Sequence, residues 1–478
     1  MTRAKTLKVL SVASEMVPLV KTGGLADVVG ALPAALAGQG VEMTTLLPGY
    51  PAVMAAIGKA KKVPGIDQVL GEPVRVLSAK WADGRKLLVL DAPGLFTREG
   101  GPYGDPNGAD WHDNWRRFAV LGKAAEMLAG KFDLVHTHDW QAAMACVYLR
   151  YAGGQVPSVL TIHNMAFQGF FGGEIFGRLG LPDSAWSLDG VEFHGGVGML
   201  KGGMACADAI TTVSPTYARE IHTAKFGMGL DGVVRARSNV VHGVLNGIDR
   251  AEWNPATDRH LPATYDTKSL AKRKANKRAV EQAFELDRGD GPLFVMVSRL
   301  TWQKGVDVLL EVIDHLVGLG GRLALLGAGD VALEQELVLA AQRHPGRVGL
   351  NFGYSEPLSH LMQGGGDAIL IPSRFEPCGL TQLYGLAYGC VPIVTRTGGL
   401  ADTVIDANPA AMASGTATGI VLGEATYDDL SLAITRAIRL FEDRPAWSKV
   451  QRTGMRADFG WEASAAEYAA LYRRLVAA

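Results

Sequence analysis

The hexapeptide Thr-Gly-Gly-Leu-Ala-Asp occupies residues 22–27 and recurs at residues 397–402. Each copy follows an apolar run and a basic residue, Lys21 or Arg396, and each opens a segment of helical period. Paired glycines such as Gly23 and Gly24 let a ligand approach the backbone closely, and a helix N-terminus directs unpaired N–H groups at it. The repeat therefore predicts two anion-binding sites, one in each half of the chain, although two ordinary helix-start turns would show the same letters.

Short apolar runs alternate with longer segments of helical period along the whole chain. The predicted strands form two series, 7–13, 41–47, 86–91, 132–136, 156–162, 208–213 and 240–245, then 293–298, 321–326, 347–351, 367–371, 391–395 and 419–422. Continuous Val, Ile and Leu strands alternating with helices are typical of parallel sheets covered on both faces. An aperiodic stretch at 246–265 is interpreted as the connection between two doubly wound, Rossmann-like α/β domains, 1–245 and 246–460. Because ligands bind beyond the carboxyl ends of such strands, we expect the two domains to face one another across a deep cleft.

The composition excludes several classes of protein. Among 478 residues, a hydrophobic content of 48% and a charged content of 20% indicate a folded chain. The net charge of −1 offers no field to attract nucleic acid or an acidic membrane. The densest basic run, 272–278, is interpreted as the solvated face of a helix. No apolar run approaches the roughly 18 residues of a membrane span. The four cysteines have no Cys-x-x-Cys spacing, which argues against zinc, and their small number predicts a cytoplasmic protein.

Two predicted strands of the second domain are followed by residues suited to a sugar diphosphate. Arg299 and Lys304 follow the strand at 293–298. A guanidinium binds phosphate oxygens through two parallel bonds, and an ammonium acts as a mobile point charge. Glu376 follows the strand at 367–371, and its carboxylate can accept bonds from sugar hydroxyls. The alternatives are a pair of surface cations and a helix-capping glutamate.

In the first domain, polar and aromatic residues lie at the carboxyl ends of two predicted strands: His136, His138, Asp139 and Trp140 at one, and His163 at the other. The three histidines lack the His-x-x-x-His spacing of a helical zinc site, so we do not expect a metal there. Instead, we expect His163 and Asp139 to bind sugar hydroxyls and Trp140 to serve as a stacking platform.

The chain contains no Asp-x-Asp motif, so a metal-clamped sugar nucleotide has no obvious ligands. Neutralisation of a diphosphate would then fall to Lys21, Arg299, Lys304 and helix N-termini. The Gly-x-Gly-x-x-Ala sequence at 327–332 matches a dinucleotide fingerprint, but Asn-Phe-Gly at 351–353 stands where an acidic residue would be expected. We therefore expect neither a metal nor a nicotinamide cofactor.

Seven motifs in order resemble those of the bacterial glycogen synthase family, close kin of the plant starch synthases. They are Lys-Thr-Gly-Gly-Leu-Ala-Asp at 21–27, His-Asp-Trp at 138–140, His-Asn at 163–164, Asn-Gly-Ile-Asp at 246–249, Ser-Arg and Lys-Gly within 298–305, Glu-Pro-Cys-Gly-Leu at 376–380 and Thr-Gly-Gly-Leu-Ala-Asp at 397–402. The resemblance covers nearly the whole chain. It implies a GT-B fold whose closing helix, 461–478, packs back on the first domain. It also implies retaining transfer of glucose from ADP-glucose to the non-reducing end of an α-1,4-glucan such as glycogen, without a cofactor.

The resemblance further implies roles for individual residues. Glu376, His163 and Asn246 would contact the glucose, and Tyr354 would lie against the adenine. The donor-binding set is Lys21, Gly23, Gly24, Asn246, Arg299, Lys304, Tyr354, Cys378, Gly379, Leu380 and Thr381. The catalytic set is Lys21, His163, Arg299, Lys304 and Glu376. The acceptor would contact Tyr103, Asp139 and Trp140 in the first domain.

One position departs from the pattern of related retaining transferases, which often carry a second glutamate eight residues beyond the first. Tyr384 stands there, which favours a synthase over the wider group of hexosyltransferases. Retention without a placed carboxylate nucleophile predicts same-face substitution, in which the departing phosphate takes the proton of the incoming hydroxyl. The alternatives are a sucrose- or trehalose-forming transferase and a non-catalytic sugar-nucleotide sensor. The residues alone determine neither the choice between ADP- and UDP-glucose nor the oligomeric state.

Overall fold

The computed structural model describes residues 6–81 and 84–477, which form two compact α/β units. The first unit runs up to Gly247 and resumes at Trp461, and the second spans Ile248–Gly460. Each unit is built on a sheet of mainly parallel strands with buried apolar clusters on both faces. The predicted pair of doubly wound α/β domains is confirmed.

The main sheet of the first unit has the strand order β14-β13-β9-β8-β1-β2-β7-β6-β3 and is parallel from β14 to β7. The strands of this unit are β1 (Leu7–Val12), β2 (Val41–Pro48), β3 (Lys61–Lys62), β4 (Gln68–Val69), β5 (Glu72–Pro73), β6 (Arg75–Lys80), β7 (Lys86–Asp91), β8 (Leu134–His138), β9 (Ser158–Ile162), β10 (Phe170–Gly172), β11 (Glu192–Phe193), β12 (Gly196–Gly198), β13 (Ala209–Thr212) and β14 (Val241–Gly243). The predicted strands of this domain are all present, with ends within two residues. The short strands β3 to β5 and β10 to β12 were not predicted, because two- or three-residue segments carry no readable period. The six-residue strand β6 was not predicted either, because only its Val76 and Ala79 are buried and it forms no continuous apolar run.

Helices cover both faces of this sheet because the side chains of its strands alternate between two cores. Leu10 belongs to the core under α4, α5 and α6, whereas Val9 belongs to the core under α1. The helices are α1 (Gly24–Ala37), α2 (Pro51–Ala56), α3 (Pro93–Phe96), α4 (Asn114–Leu128), α5 (Asp139–Tyr151), α6 (Met199–Cys206), α7 (Pro215–Glu220), α8 (Ala224–Gly227) and α9 (Asp231–Ala236). Burial on both faces explains why the strands read as continuous apolar runs.

The second unit contains a parallel sheet with the order β17-β16-β15-β18-β19-β20. Its strands are β15 (Leu293–Val297), β16 (Arg322–Gly327), β17 (Val348–Phe352), β18 (Ala368–Ile371), β19 (Val391–Thr395) and β20 (Ile420–Leu422). Its helices are α10 (Arg273–Ala283), α11 (Val306–Gly318), α12 (Val331–Arg343), α13 (Glu356–Gly365), α14 (Thr381–Tyr388), α15 (Gly398–Thr403), α16 (Pro409–Ser414), α17 (Tyr427–Glu442) and α18 (Arg444–Arg456). Phe294 faces one core and Val295 the other, so this sheet is also buried on both sides.

The closing helix α19 (Trp461–Ala477) belongs to the first unit. Its residues Ala465, Tyr468 and Tyr472 are buried in the core that also contains Val9 of β1. The Tyr472 hydroxyl lies 2.7 Å from Nδ1 of His136, a fully buried residue of β8. Helix α19 is therefore fixed to the first sheet by apolar packing and a buried polar contact.

Two interpretations made from the sequence need correction. The basic run at 272–278 is not simply a solvated face. Arg273 is buried and donates to the carbonyls of Gly366 and Tyr388, and buried Lys277 lies 2.6 Å from the Asp367 carboxylate. A charged side chain can be buried when it has a hydrogen-bonding or ionic partner. The number of charges in a segment does not show whether such a partner exists elsewhere in the chain.

The second correction concerns the aperiodic stretch at 246–265. From Ile248 onward it packs into the second unit, and Trp253, Leu261 and Tyr265 are buried there. Irregular backbone with isolated apolar anchors has no period, so the pattern could not distinguish it from a linker. Among the described helices, none is both long enough and apolar enough to cross a membrane.

Candidate active site

The carboxyl ends of β1, β8 and β9 lie side by side in the first sheet, with Val12 paired to Thr137 and His138 paired to Thr161. The residues after these three ends are therefore neighbours. They include Glu15, Asp139 and His163. Sequence reasoning placed two of these three in the site and missed Glu15.

Glu15 holds the first copy of the repeated hexapeptide. Its carboxylate is buried and accepts two hydrogen bonds from Thr22. One comes from the backbone N–H of Thr22, and the other comes from its hydroxyl at 2.5 Å. The Lys21 ammonium beside this turn is 2.8 Å from the Asp27 carboxylate and remains about one-third exposed. A Cβ at Gly23 would meet no atom within 4 Å, so the backbone is open to a ligand there. The geometry of this copy suits the predicted anion site.

Tyr103, predicted to contact the acceptor, lies next to the same glutamate. Its hydroxyl donates to Glu15 and lies 2.8 Å from the Ser14 hydroxyl. Burial and the Glu15 carboxylate hold the pKa of Tyr103 well above its ordinary value, so the phenol stays protonated. Tyr103 as a whole residue is half-buried, so it is not sealed from solvent.

His136, His138 and His163 form a histidine cluster in the interior of the first unit. His138 Nδ1 lies 3.0 Å from His163 Nε2, and His138 Nε2 lies 3.2 Å from the Ser11 hydroxyl. Burial lowers the pKa of His136 and of His163 to about 3, and it lowers that of His138 well below the ordinary value. All three imidazoles are therefore neutral near pH 7, and His163 faces the site as an uncharged hydrogen-bonding group.

Asp139 begins helix α5 in the left-handed backbone region, with φ of 54°. Its Oδ1 accepts a 2.6 Å hydrogen bond from the His163 backbone N–H, which joins the ends of β8 and β9. Burial raises the pKa of the Asp139 carboxyl to about 7, although the backbone N–H groups of His163 and Asn164 favour its charged form. Asp139 keeps a left-handed backbone conformation and a raised pKa because the surrounding structure holds it in place.

Trp140 does not present an open face. The side chain is 9% exposed, its ring meets Phe118 edge-on at 5.0 Å and Phe171 at 5.9 Å, and Gly169 packs against it. A stacking platform for sugar needs an exposed ring, so that part of the Trp140 prediction is wrong. Periodicity could not show this, because an aromatic residue after a strand looks the same whether its ring is covered or free.

Asn246 follows β14 at the same edge of the first sheet. The residue is 5% exposed, and its Oδ1 is buried without a hydrogen-bond partner among the described residues. A buried amide oxygen left unpaired costs about 1–3 kcal/mol. A ligand hydroxyl would satisfy it, in agreement with the predicted contact to glucose.

In the second unit, β15 and β18 are adjacent, and the predicted donor residues follow their carboxyl ends. The Lys304 ammonium lies 2.5 Å from the Glu376 carboxylate, and these two side chains are 17% and 8% exposed. The Ser373 hydroxyl donates to the same carboxylate oxygen at 3.0 Å. Gly305 has φ of 67°, and a Cβ there would lie 2.1 Å from the Pro372 carbonyl oxygen, so glycine permits the close approach of these loops.

Arg299 and Tyr354 lie at the same edge, after β15 and β17, and both are exposed. The Tyr354 side chain is 68% exposed, and its hydroxyl donates to Glu356 at 2.9 Å. An exposed aromatic ring at this edge suits stacking on a base. Both positions are compatible with the predicted contacts to diphosphate and adenine.

The loop 376–381 leads into helix α14 and is fixed by hydrogen bonds from Gln382, a fully buried residue of that helix. The sequence analysis did not identify Gln382. The Gln382 amide nitrogen donates to the carbonyls of Cys378 and Gly379 at 3.0 and 2.9 Å. Because the C=O and N–H of a trans peptide point in opposite directions, the N–H groups of Gly379 and Leu380 are directed away from Gln382. No sequence signal could have identified Gln382, because its role depends on reaching back to the loop that precedes it.

The second hexapeptide copy serves a different purpose from the first. Gly398 and Gly399 are buried, and a Cβ on either would collide with a backbone carbonyl oxygen, that of Glu376 or that of Cys378. The Gly399 N–H donates to the carbonyl oxygens of Glu376 and Pro377. The prediction that Gly398 and Gly399 open the backbone to an anion is therefore wrong. These glycines instead let α15 pack against the loop that carries Glu376 and support it.

Comparisons with known proteins agree with this geometry. A family model described as the starch synthase catalytic domain matches residues 8–236, and one described as glycosyl transferases group 1 matches residues 278–453. A glycogen synthase of Novosphingobium aromaticivorans is 62% identical over 482 residues, covering 99% of each chain. A glycogen synthase of Rhizobium johnstonii is 56% identical over 477 residues, covering 98% of this chain and 99% of that protein.

The chain also resembles solved structures, among them a starch synthase and a sucrose-phosphate synthase. The catalytic domain of starch synthase IV from Arabidopsis thaliana, bound to ADP and acarbose, has a TM-score of 0.90 at 31% identity and covers 99% of this chain and 100% of its own. Sucrose-phosphate synthase from Thermosynechococcus elongatus has a TM-score of 0.60 at 18% identity, covers 98% and 99%, and shows the fold alone. Two Rossmann-like units with cationic and carboxylate groups at their strand ends define a glycosyltransferase of the GT-B type. The chain belongs to the glycogen synthase family.

Proposed function

We propose that the chain transfers glucose from ADP-glucose to the non-reducing end of an α-1,4-glucan, with retention of the anomeric configuration. The observation that carries the proposal is the Lys304–Glu376 pair at adjacent strand ends, together with exposed Arg299, which follows the same strand as Lys304. It combines cations for a diphosphate with a carboxylate for sugar hydroxyls. The names of the relatives and the ADP and acarbose in the plant structure support this choice of donor and acceptor.

On the donor side, Arg299 and Lys304 would bind the diphosphate, with Lys21 joining them in the catalytic complex. The exposed ring of Tyr354 would stack on the adenine. Glu376, His163 and Asn246 would bind the glucose hydroxyls, together with the backbone of the loop ending at Thr381. The unpaired oxygen of Asn246 and the neutral imidazole of His163 support these roles.

On the acceptor side, Tyr103 and Asp139 would bind the glucan. Tyr103 is not sealed from solvent, and Asp139 can either donate or accept near pH 7 because its pKa is about 7. Trp140 would act indirectly, since its buried ring supports the start of α5 where Asp139 lies.

The reaction would proceed on one face of the sugar. The bond from the anomeric carbon to the diphosphate oxygen breaks, the acceptor 4-hydroxyl oxygen forms the new bond, and its proton passes to the departing phosphate. Glu376 already accepts from Lys304 and Ser373, which favours a binding role over that of a nucleophile. The protein would contribute alignment and fixed positive charge, and the charge stabilises the leaving group most as the transition state forms.

The test is release of ADP and elongation of glycogen with ADP-glucose as donor, with excess EDTA present. The matched reactions replace the donor by UDP-glucose and the acceptor by fructose 6-phosphate or glucose 6-phosphate. We expect glycogen to lengthen with ADP-glucose despite EDTA, and little transfer in the other reactions. Transfer to a sugar phosphate would identify the sucrose- or trehalose-forming alternative, and binding without turnover would identify a sensor. Strict dependence on a divalent ion would contradict the proposed neutralisation by Lys21, Arg299 and Lys304.

A further inference from the structure

Three potential metal ligands converge in the second unit. They belong to the stretch after Ile248 and to α13, whereas Lys304 and Glu376 follow β15 and β18. Carboxylate oxygens of Glu252 and Glu356 and a ring nitrogen of His360 lie within 4.8 Å of one another. Both glutamates are exposed, whereas His360 is fully buried. Glu252 lies in the irregular stretch after Ile248, and the other two lie four residues apart in the first turns of α13.

The His360 ring is held in one orientation. Its face stacks on Trp253 at 3.8 Å with an interplanar angle of 14°, and the other face of Trp253 stacks on Tyr384 at 3.6 Å. Its Nδ1 lies 2.8 Å from the Asp258 carboxylate, which also accepts a 2.6 Å hydrogen bond from Tyr388. Asp258 therefore accepts hydrogen bonds from both the His360 Nδ1–H and the Tyr388 hydroxyl.

This arrangement leaves the Nε2 lone pair for another partner. Nε2 is buried and has no hydrogen-bond partner among the described residues. A carboxylate that fixes the tautomer of a histidine and raises the basicity of its other nitrogen is the usual support for a metal-ligating imidazole. A buried acceptor without a donor can be satisfied by a cation, and the residue that carries it lies in a cluster with two carboxylates that would share the ion.

We propose that Glu252, Glu356 and His360 bind a divalent transition-metal ion of the zinc type, with Asp258 as the supporting residue. One nitrogen and two carboxylate oxygens match the ligands of Zn²⁺, whose bonds of about 2.0–2.2 Å would bring ligand atoms to about 3.4 Å from one another. The two exposed glutamate side chains can rotate to close that difference. The ion would link the stretch around Glu252 to the start of α13 and draw Glu356 from the Tyr354 hydroxyl. It has no part in neutralising the donor diphosphate.

The experiment is calorimetric titration of the tag-free, chelator-treated full-length chain with zinc chloride, and separately with calcium chloride. We expect one Zn²⁺ per chain and at least tenfold weaker Ca²⁺ binding, because imidazole is a poor ligand for Ca²⁺. Glu252→Gln, Glu356→Gln and His360→Asn should each weaken Zn²⁺ binding at least tenfold. Asp258→Asn should weaken it by about 10- to 100-fold, as losses of outer-shell partners do.

Glu336→Gln, at an exposed position of α12, is the matched control and should leave Zn²⁺ affinity unchanged. Since His360 and Asp258 are buried, their variants require a circular dichroism check. The two glutamate variants, at exposed positions, keep the test valid if the buried ones misfold. The inference is overturned if Zn²⁺ does not bind, or if its affinity is the same in both glutamate variants as in the parent. It is also overturned if Ca²⁺ binds as tightly as Zn²⁺ and His360→Asn leaves both unchanged, which would indicate an acidic surface patch only.

Discussion

Replacing Lys304 by methionine separates the catalytic role of this cation from its structural role. The ammonium lies 2.5 Å from Glu376, and methionine is only one atom shorter than lysine, so the substitution removes the charge and keeps most of the side chain. Because Lys304 is proposed to bind the departing diphosphate and not the glucan, we expect turnover to fall and the KM for glycogen to change little.

The size of the effect follows from the contact. A hydrogen bond to a charged group contributes about 1.5–3 kcal/mol, and each 1.36 kcal/mol is a factor of ten in rate, so turnover should fall by about 10- to 150-fold. Breaking a fully buried ion pair costs about 3–5 kcal/mol of stability. Here the side chains are 17% and 8% exposed and Ser373 still donates to Glu376, so we expect about 1–3 kcal/mol.

The matched control is Lys277→Met. Lys277 forms a comparable pair with Asp367 in the same unit, at 2.6 Å with 10% and 15% exposure, and it has no proposed contact with substrate. It should lower the unfolding midpoint in urea about as much as Lys304→Met does, while turnover, measured as ADP release at saturating ADP-glucose, stays near that of the parent. If Lys304→Met kept more than half of the parent turnover, or if both variants lost turnover equally, the reasoning about the leaving group would be refuted.

Two further predictions concern the fold around the site. Because burial lowers the pKa of all three members of the histidine cluster, the unfolded state binds more protons than the native state below about pH 6.5, so stability falls as the pH falls. His136 and His163, whose pKa values are about 3, should each remove about 1.4 kcal/mol of stability per pH unit below about pH 6.5, and His138 acts in the same sense. The raised pKa of Asp139 acts in the opposite sense below pH 7 and offsets about one histidine. The net loss of stability should appear as faster hydrogen exchange in 134–162 at pH 5 than at pH 7, after correction for intrinsic rates. Equal protection at both pH values would contradict burial of neutral imidazoles. Separately, Gly305→Ala should lower turnover at least tenfold, because its Cβ would displace the Pro372 carbonyl, whereas Gly318→Ala, where a Cβ meets nothing within 4 Å, should leave turnover unchanged. Full activity of Gly305→Ala would show that the close approach of the two loops is not needed.

Much of the fold could be predicted because its main elements have clear periods. Strands buried on both faces read as continuous apolar runs, so the main strands β1, β2, β7, β8 and β9 were located from the sequence. Because parallel strands place their carboxyl ends at one edge, the proximity of Lys304 to Glu376 and of Asp139 to His163 also followed.

The remaining features depend on partners that are distant in the chain. The covered ring of Trp140 and the burial of Lys277 each require a neighbour that no local pattern identifies. Tyr384 illustrates this most clearly. The sequence showed that it replaces a glutamate, but only the structure shows its ring stacked on Trp253, which in turn holds His360.

The sequence by itself determined which residues lie at the strand ends, because hydrophobic period and chain order are local properties. Tertiary structure alone decided what each of those residues does there. The two copies of Thr-Gly-Gly-Leu-Ala-Asp have the same letters, yet the first leaves the backbone at Gly23 open and the second packs Gly398 and Gly399 against the Glu376 loop. The physical reason is that a backbone N–H near a glycine is free for a ligand only when no other part of the chain occupies the space beside it, and that depends on long-range packing.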